Sequence, residues 1–222
     1  LEYTLDNGGS YTLINNAVSA NASPWPWTVP NEHSDNVKIR ISDNGDPTNV
    51  SDISPQAFKI VGILSLISPG GGEVWPVAST QTITWSVGGS KVARIKIEYS
   101  LDGGASYPFV IANDIASGPT VSVNYAIPED TDLSQQVVVK VSDMEAWSNV
   151  SANSSKVNMI KIRGDLVVTR PTLGEPFLLL AGEEIRWTRL GKILAVNIDY
   201  STDGSFSVPT TTRLVNNWAH VV

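Results

Sequence analysis

The chain has 222 residues, no cysteine and a net charge of −7, from 15 Lys plus Arg against 22 Asp plus Glu. Without cysteine there are no disulfides, zinc–thiolate centres or thiol nucleophiles, and an acidic balance disfavours the phosphate backbone, whose binding depends on Lys and Arg displacing counterions. No apolar run approaches the roughly 20 residues that cross a bilayer, so membrane insertion of this segment is not expected.

Seven Trp and 41% hydrophobic residues supply enough apolar surface for ordered cores. The chain opens on LEYTLDNGGSY (1–11), in which a short alternating stretch runs into Asp-Asn-Gly-Gly, the text of a hairpin turn. Further strand-like pieces follow in WTVP (27–30) and IRISD (39–43). From residue 63 onward, alternation predicts strands near 63–67, 80–86, 92–100, 107–112, 120–126, 136–143 and 156–162. Within them Ile83 and Trp85, or Ile95, Ile97 and Tyr99, share a face. The longest aliphatic stretch, 177–181, suits one short strand. Helical spacing of apolar residues never persists, and Gly, Pro, Asn and Asp interrupt the chain as they do between short antiparallel strands.

The text repeats. LEYTLDNGGSY recurs as IEYSLDGGASY (97–107) and IDYSTDGS (198–205), WTVP as YAIP (125–128), and IRISD as VKVSD (139–143). PGGGEVWPVASTQTITW (69–85) aligns without a gap on PTLGEPFLLLAGEEIRW (171–187). A period of about 100 residues suits one β-sandwich of about seven strands per repeat. Residues 1–62 are then the C-terminal half of a repeat, 63–164 a complete repeat, and 165–222 the N-terminal half of another. The expected reading is a window of a longer covalent array. Completion of the two halves by strand exchange between copies is the alternative, but a shared sandwich would then hold the hairpin strand twice.

The ordered motifs SP-x-GGE-x-W, I-x-W, I-x-Y-S-x-DGG-x-S, VP or IP, and SD resemble the immunoglobulin-like repeat of large bacterial and archaeal surface proteins. They are also similar to the extracellular domain of the Ser/Thr-rich GPI-anchored fungal family. That resemblance implies tandem immunoglobulin-like sandwiches, an extracellular or cell-surface location and no catalysis. Ala78 and Leu180 depart from it, standing where the pattern has Gly, and the third copy has one Gly fewer after Asp203.

Each motif that could carry chemistry also has a structural role open to it. Asp-Gly-Gly reads as a turn, since no Lys or Arg stands beside Asp6 or Asp102 and no helix follows. The loop 42–52 offers Asp43, Asp46 and Asp52 as weak calcium ligands without the alternate-residue spacing of an EF-hand. Trp85 with Trp187, Trp75 with Phe177, and Trp27 and Trp218 with Tyr125 fall at equivalent positions and are assigned to cores. Trp25 and Trp147 are left as ligand candidates for a glycan. Asn21, Asn49, Asn149 and Asn153 lie in Asn-x-Ser glycosylation sequons.

His33 and His220 fall in different repeats, so no nucleophile, base and orienting acid assemble within one. His33, beside Glu32 and Asp35, is assigned to a polar loop; Glu183 and Glu184 are expected on opposite faces of a strand. The expected protein is a noncatalytic stalk, spacer or filament without cofactors, whose partners are neighbouring repeats or other copies. A carbohydrate-binding adhesin, or an appendage of a larger extracellular enzyme, is the alternative.

Overall fold

The computed structural model describes residues 1–89, 92–118, 120–145, 149–202, 204, 206 and 211–219, with backbone alone at 120 and 211–219. They form an all-β protein of mainly antiparallel sheets.

In the first section β1 (Glu2–Thr4), β2 (Thr12–Leu13), β3 (Ser34–Ser42), β4 (Ser51–Ile53) and β5 (Phe58–Ile60) make one sheet around β3. Val37 is fully buried there. Trp27, partly buried, packs 5.5 Å from the partly buried Tyr3 ring and edge-on to the exposed Phe58 at 6.5 Å, an aromatic cluster at the surface of this section.

The middle section contains β6 (Ile63–Ser68), β7 (Val74–Pro76), β8 (Thr80–Gly88), β9 (Arg94–Ser100), β10 (Phe109–Ala116), β11 (Thr120–Ala126), β12 (Ser134–Asp143), β13 (Ser151–Asn153) and β14 (Ile160–Arg163). One sheet runs β11-β8-β6; the other runs β10-β9-β12-β14-β7, with β13 also on β12. After β6 the chain changes sheets, so β7 lies parallel to β14. Alternation decides what is buried: Ile83 and Trp85 from β8, Ile95 and Ile97 from β9, and Val137, Val139 and Val141 from β12 join one cluster enclosed by both sheets.

The predicted alternation therefore marked the main strands, but β7 and β13 were not expected and β14 begins later than residue 156. Each of the two unforeseen strands is three residues long, too short to display a period.

In the last section β15 (Asp165–Arg170) pairs with β16 (Arg186–Leu190), and β17 (Ala195–Ser201) with β18 (Thr211–Ala219). Trp85 has no exposed surface, whereas Trp187 is only half buried. The equivalence of these two as core residues is thus corrected. Trp85 is covered by a facing sheet, while the described strands around Trp187 form only two-stranded sheets.

Candidate functional site

The features that recur at equivalent places, and that no single section accounts for, lie at the junctions between sections. Gly62 links β5 to β6, and Gly164 links β14 to β15. A Cβ on Gly62 would stand 2.1 Å from Val92 Cγ2; one on Gly164 would stand 2.5 Å from the Leu190 carbonyl oxygen and 3.1 Å from Ile193 Cδ1. Val92 and Ile193 occupy corresponding places after β8 and β16. At both junctions the connecting glycine thus lies against the loop following the next section's β8-type strand.

That loop also reaches back. Gly89 (φ +88°) and Gly191 (φ +84°) both have left-handed backbones, which glycine adopts without a Cβ penalty. A Cβ on Gly89 would sit 3.0 Å from Asn31 Oδ1, and one on Gly191 would sit 2.9 Å from Leu133 Cδ2. Asn31 and Leu133 both belong to the stretch between the VP or IP motif and the following strand, β3 or β12. Two junctions 102 residues apart are built from the same parts.

Among the described residues a charged or ionisable pair stands near each junction. At the second junction Lys192 Nζ is 2.9 Å from Asp132 Oδ1, both side chains half exposed, and this contact raises the Lys192 pKa. At the first junction His33 Nε2 lies 3.6 Å from Asp143 Oδ2, with side-chain exposures of 9% and 0%. The Asp143 carboxylate also accepts a hydrogen bond from the Glu145 backbone N–H, while the Asp143 N–H donates to the Val150 carbonyl. His33 is therefore not a solvent-facing loop residue but part of a buried contact between sections. The sequence carried one faint signal of this: between the VP or IP motif and the next strand the first section has three residues, 31–33, against five in the second, 129–133.

The Asp-Gly-Gly segments are closed turns. Thr4 and Ser10 hydroxyls donate to Asp6, and Ser100 and Ser106 hydroxyls to Asp102, with backbone N–H groups of Ser10 and Ser106 added. These bonds, led by those from Thr4 and Ser100, hold both carboxyls far below the usual carboxylate range. Asn7, Gly8, Gly103 and Gly104 take the positive φ values of the turn. Ala78 and Leu180 also have positive φ, so the backbone conformation is kept where the resembling pattern uses Gly.

Asp43 accepts from the Gly45 N–H, Asp46 from the Asn49 N–H and side-chain amide, and Asp52 from the Ile53 N–H. Among the described residues no three His, Asp or Glu side chains gather as metal ligands would. Trp25 is 36% exposed. Asn21, Asn49, Asn149 and Asn153 are exposed, although Asn153 accepts a hydrogen bond from the Tyr107 hydroxyl. Trp147, His220 and the Trp218 side chain lie outside the described residues. Glu183 and Glu184 precede β16 instead of standing on a strand, and they bind different arginines, Arg170 and Arg186.

No protein-family model and no curated protein matches the chain. Among the described residues no helix is long and apolar enough to cross a membrane.

Proposed function

We propose that the chain is a noncatalytic array of immunoglobulin-like sandwich repeats that serves as a stalk or spacer in a large secreted or cell-surface protein. The observation that carries this reading is the reuse of one junction design: Gly62 against Val92 and Gly89 against Asn31, then Gly164 against Ile193 and Gly191 against Leu133. A linker that behaved as a flexible tether would have no reason to repeat close contacts with the next section's loop. Such contacts fix the angle between neighbours, and in repeat proteins nearest-neighbour interfaces add to the stability of each unit. The change of sheet between β6 and β7 and the two-sheet core around Trp85 support the immunoglobulin-like assignment. The partners on this reading are further repeats of the same protein.

Small-angle X-ray scattering of the chain in solution tests it. A profile matching one elongated particle with fixed section angles is the expected result; a profile requiring an ensemble of bent forms defeats the spacer reading. Turnover of an ester, glycoside or phosphate panel, lost on His33→Ala substitution, would defeat the noncatalytic part.

A further inference from the structure

The middle section hides between its two sheets what the first and last sections leave in the open. Val141 and Ile160 on one sheet and Leu64 on the other all lie in its core cluster. The first section repeats only the former sheet: β3 carries β1, β4 and β5 as β12 carries β9, β13 and β14. Ile41 and Phe58 stand on β3 and β5 where Val141 and Ile160 stand on β12 and β14. They are 56% and 37% exposed, whereas their counterparts have no exposed surface. The last section repeats the other sheet, since β15 meets β16 at Val168 and Trp187 as β6 meets β8 at Leu66 and Trp85. Leu166 is exposed where its counterpart Leu64 is buried, and Val168 is 64% exposed. Gly174 marks the same opening. Its counterpart Gly72 is pressed by the loop after β13, a Cβ there standing 2.3 Å from Asn158 Nδ2, whereas a Cβ on Gly174 would meet nothing within 4 Å.

We propose that the open face of the last section docks on the open face of the first section of a second copy, so that chains join head to tail through a shared sandwich. The register names the occupant. What covers Val141 and Ile160 in the middle section is the sheet containing β6 and β8, and β15 with β16 is the same pair of strands with its apolar side chains uncovered. Contiguous exposed apolar surface marks interaction sites, and the packing that fills the middle section would remove both faces from water. The inference rests on the spacer reading, because sections held at defined angles keep the two faces of one chain apart and leave each to another copy. A contact between two different faces does not close on itself, so it continues from chain to chain as a filament.

The hairpin that both sections carry does not block this union. β1 holds its place on β3 with Tyr3 opposite Ile39, as β9 holds its place on β12 with Tyr99 opposite Val139. Among the described strands β17 and β18 pair only with each other, and neither pairs with β15 or β16. The second hairpin therefore moves aside without breaking a ladder to the strands that dock.

Sedimentation equilibrium of the full chain tests the proposal. The mass should be that of one chain, 23.8 kDa, in dilute solution and should climb past that of a dimer as the concentration enters the high micromolar range. Ile41→Asp spoils the first-section face and Val168→Asp the last-section face, because docking would then bury an unpaired carboxylate. Both side chains are exposed, so folding should survive, and thermal melts check it; Phe58→Asp and Leu166→Asp are the replacements if either variant fails to fold. Each variant alone should stay single. An equimolar mixture of the two should reach a dimer and stop there, since only one intact face of each kind is left. A native chain that stays single at every concentration overturns the proposal, as does self-association of either variant alone or a mixture that stays single. Scattering from the single Ile41→Asp chain reports the spacer reading separately: one elongated particle keeps that reading whatever the association result, and an ensemble of bent forms defeats both.

Discussion

Gly62 and Val92 meet across the first junction so closely that a Cβ on Gly62 would stand 2.1 Å from Val92 Cγ2. Val92 is β-branched and 3% exposed, so it has no freedom to swing aside. Gly62→Ala should destabilise the chain by about 1–3 kcal/mol, the usual cost of overpacking a filled site. Adding Val92→Ala should recover part of that loss. A double-mutant cycle from denaturant melts checks the pair, and additive effects would mean that the two residues do not touch in solution.

The two tryptophans at equivalent repeat positions should respond differently to truncation. Trp85→Ala removes a fully buried ring and should cost about 3–5 kcal/mol. Trp187→Ala, at a half-buried ring, should cost clearly less. Thermal melts of the two variants decide this, and equal losses would mean that Trp187 is covered in solution as Trp85 is.

Asp6 and Asp102 link turn stability to acid pH. Both are held below their ordinary value of 3.8, first by the Thr4 or Ser100 hydroxyl. The folded chain therefore binds these protons less readily than the unfolded chain, and the stability involved is present above that value and lost as pH falls below it. Asp102→Asn should flatten the decline of melting temperature below about pH 4 relative to the native sequence. An unchanged acid slope would refute the coupling.

Ala78 occupies the left-handed backbone region at φ +59°, which costs a residue with a Cβ about 1–2 kcal/mol. Its N–H donates to the Ile127 carbonyl, so the conformation is held by the fold. Ala78→Gly should relieve that strain and, after the greater flexibility of Gly in the unfolded chain is counted, raise stability by about 0.5 kcal/mol. A lower melting temperature in the variant would contradict this.

Much of the middle section was legible in the sequence because burial there follows a local period. Ile83 and Trp85, or Ile95 and Ile97, point inward because successive residues of a strand face opposite sides, whatever the rest of the chain does. The Asp-Gly-Gly turns were legible for a similar reason: a short polar side chain and positive φ act within five residues. The strands Val74–Pro76 and Ser151–Asn153 were not legible, since their pairing comes from β14 and β12 and not from their own text.

The sequence by itself determined that this protein is built of short antiparallel strands, because two-residue alternation is a property of neighbouring positions. Only the tertiary structure decided which distant residues meet between sections. His33 and Asp143 are 110 positions apart, and Lys192 and Asp132 are 60 apart. Neither pair is implied by any local pattern, because each contact depends on the angle at which one section docks on the next. At Gly62 and Gly164 a glycine read from the text signals only a flexible link, and the packed structure makes it a close approach.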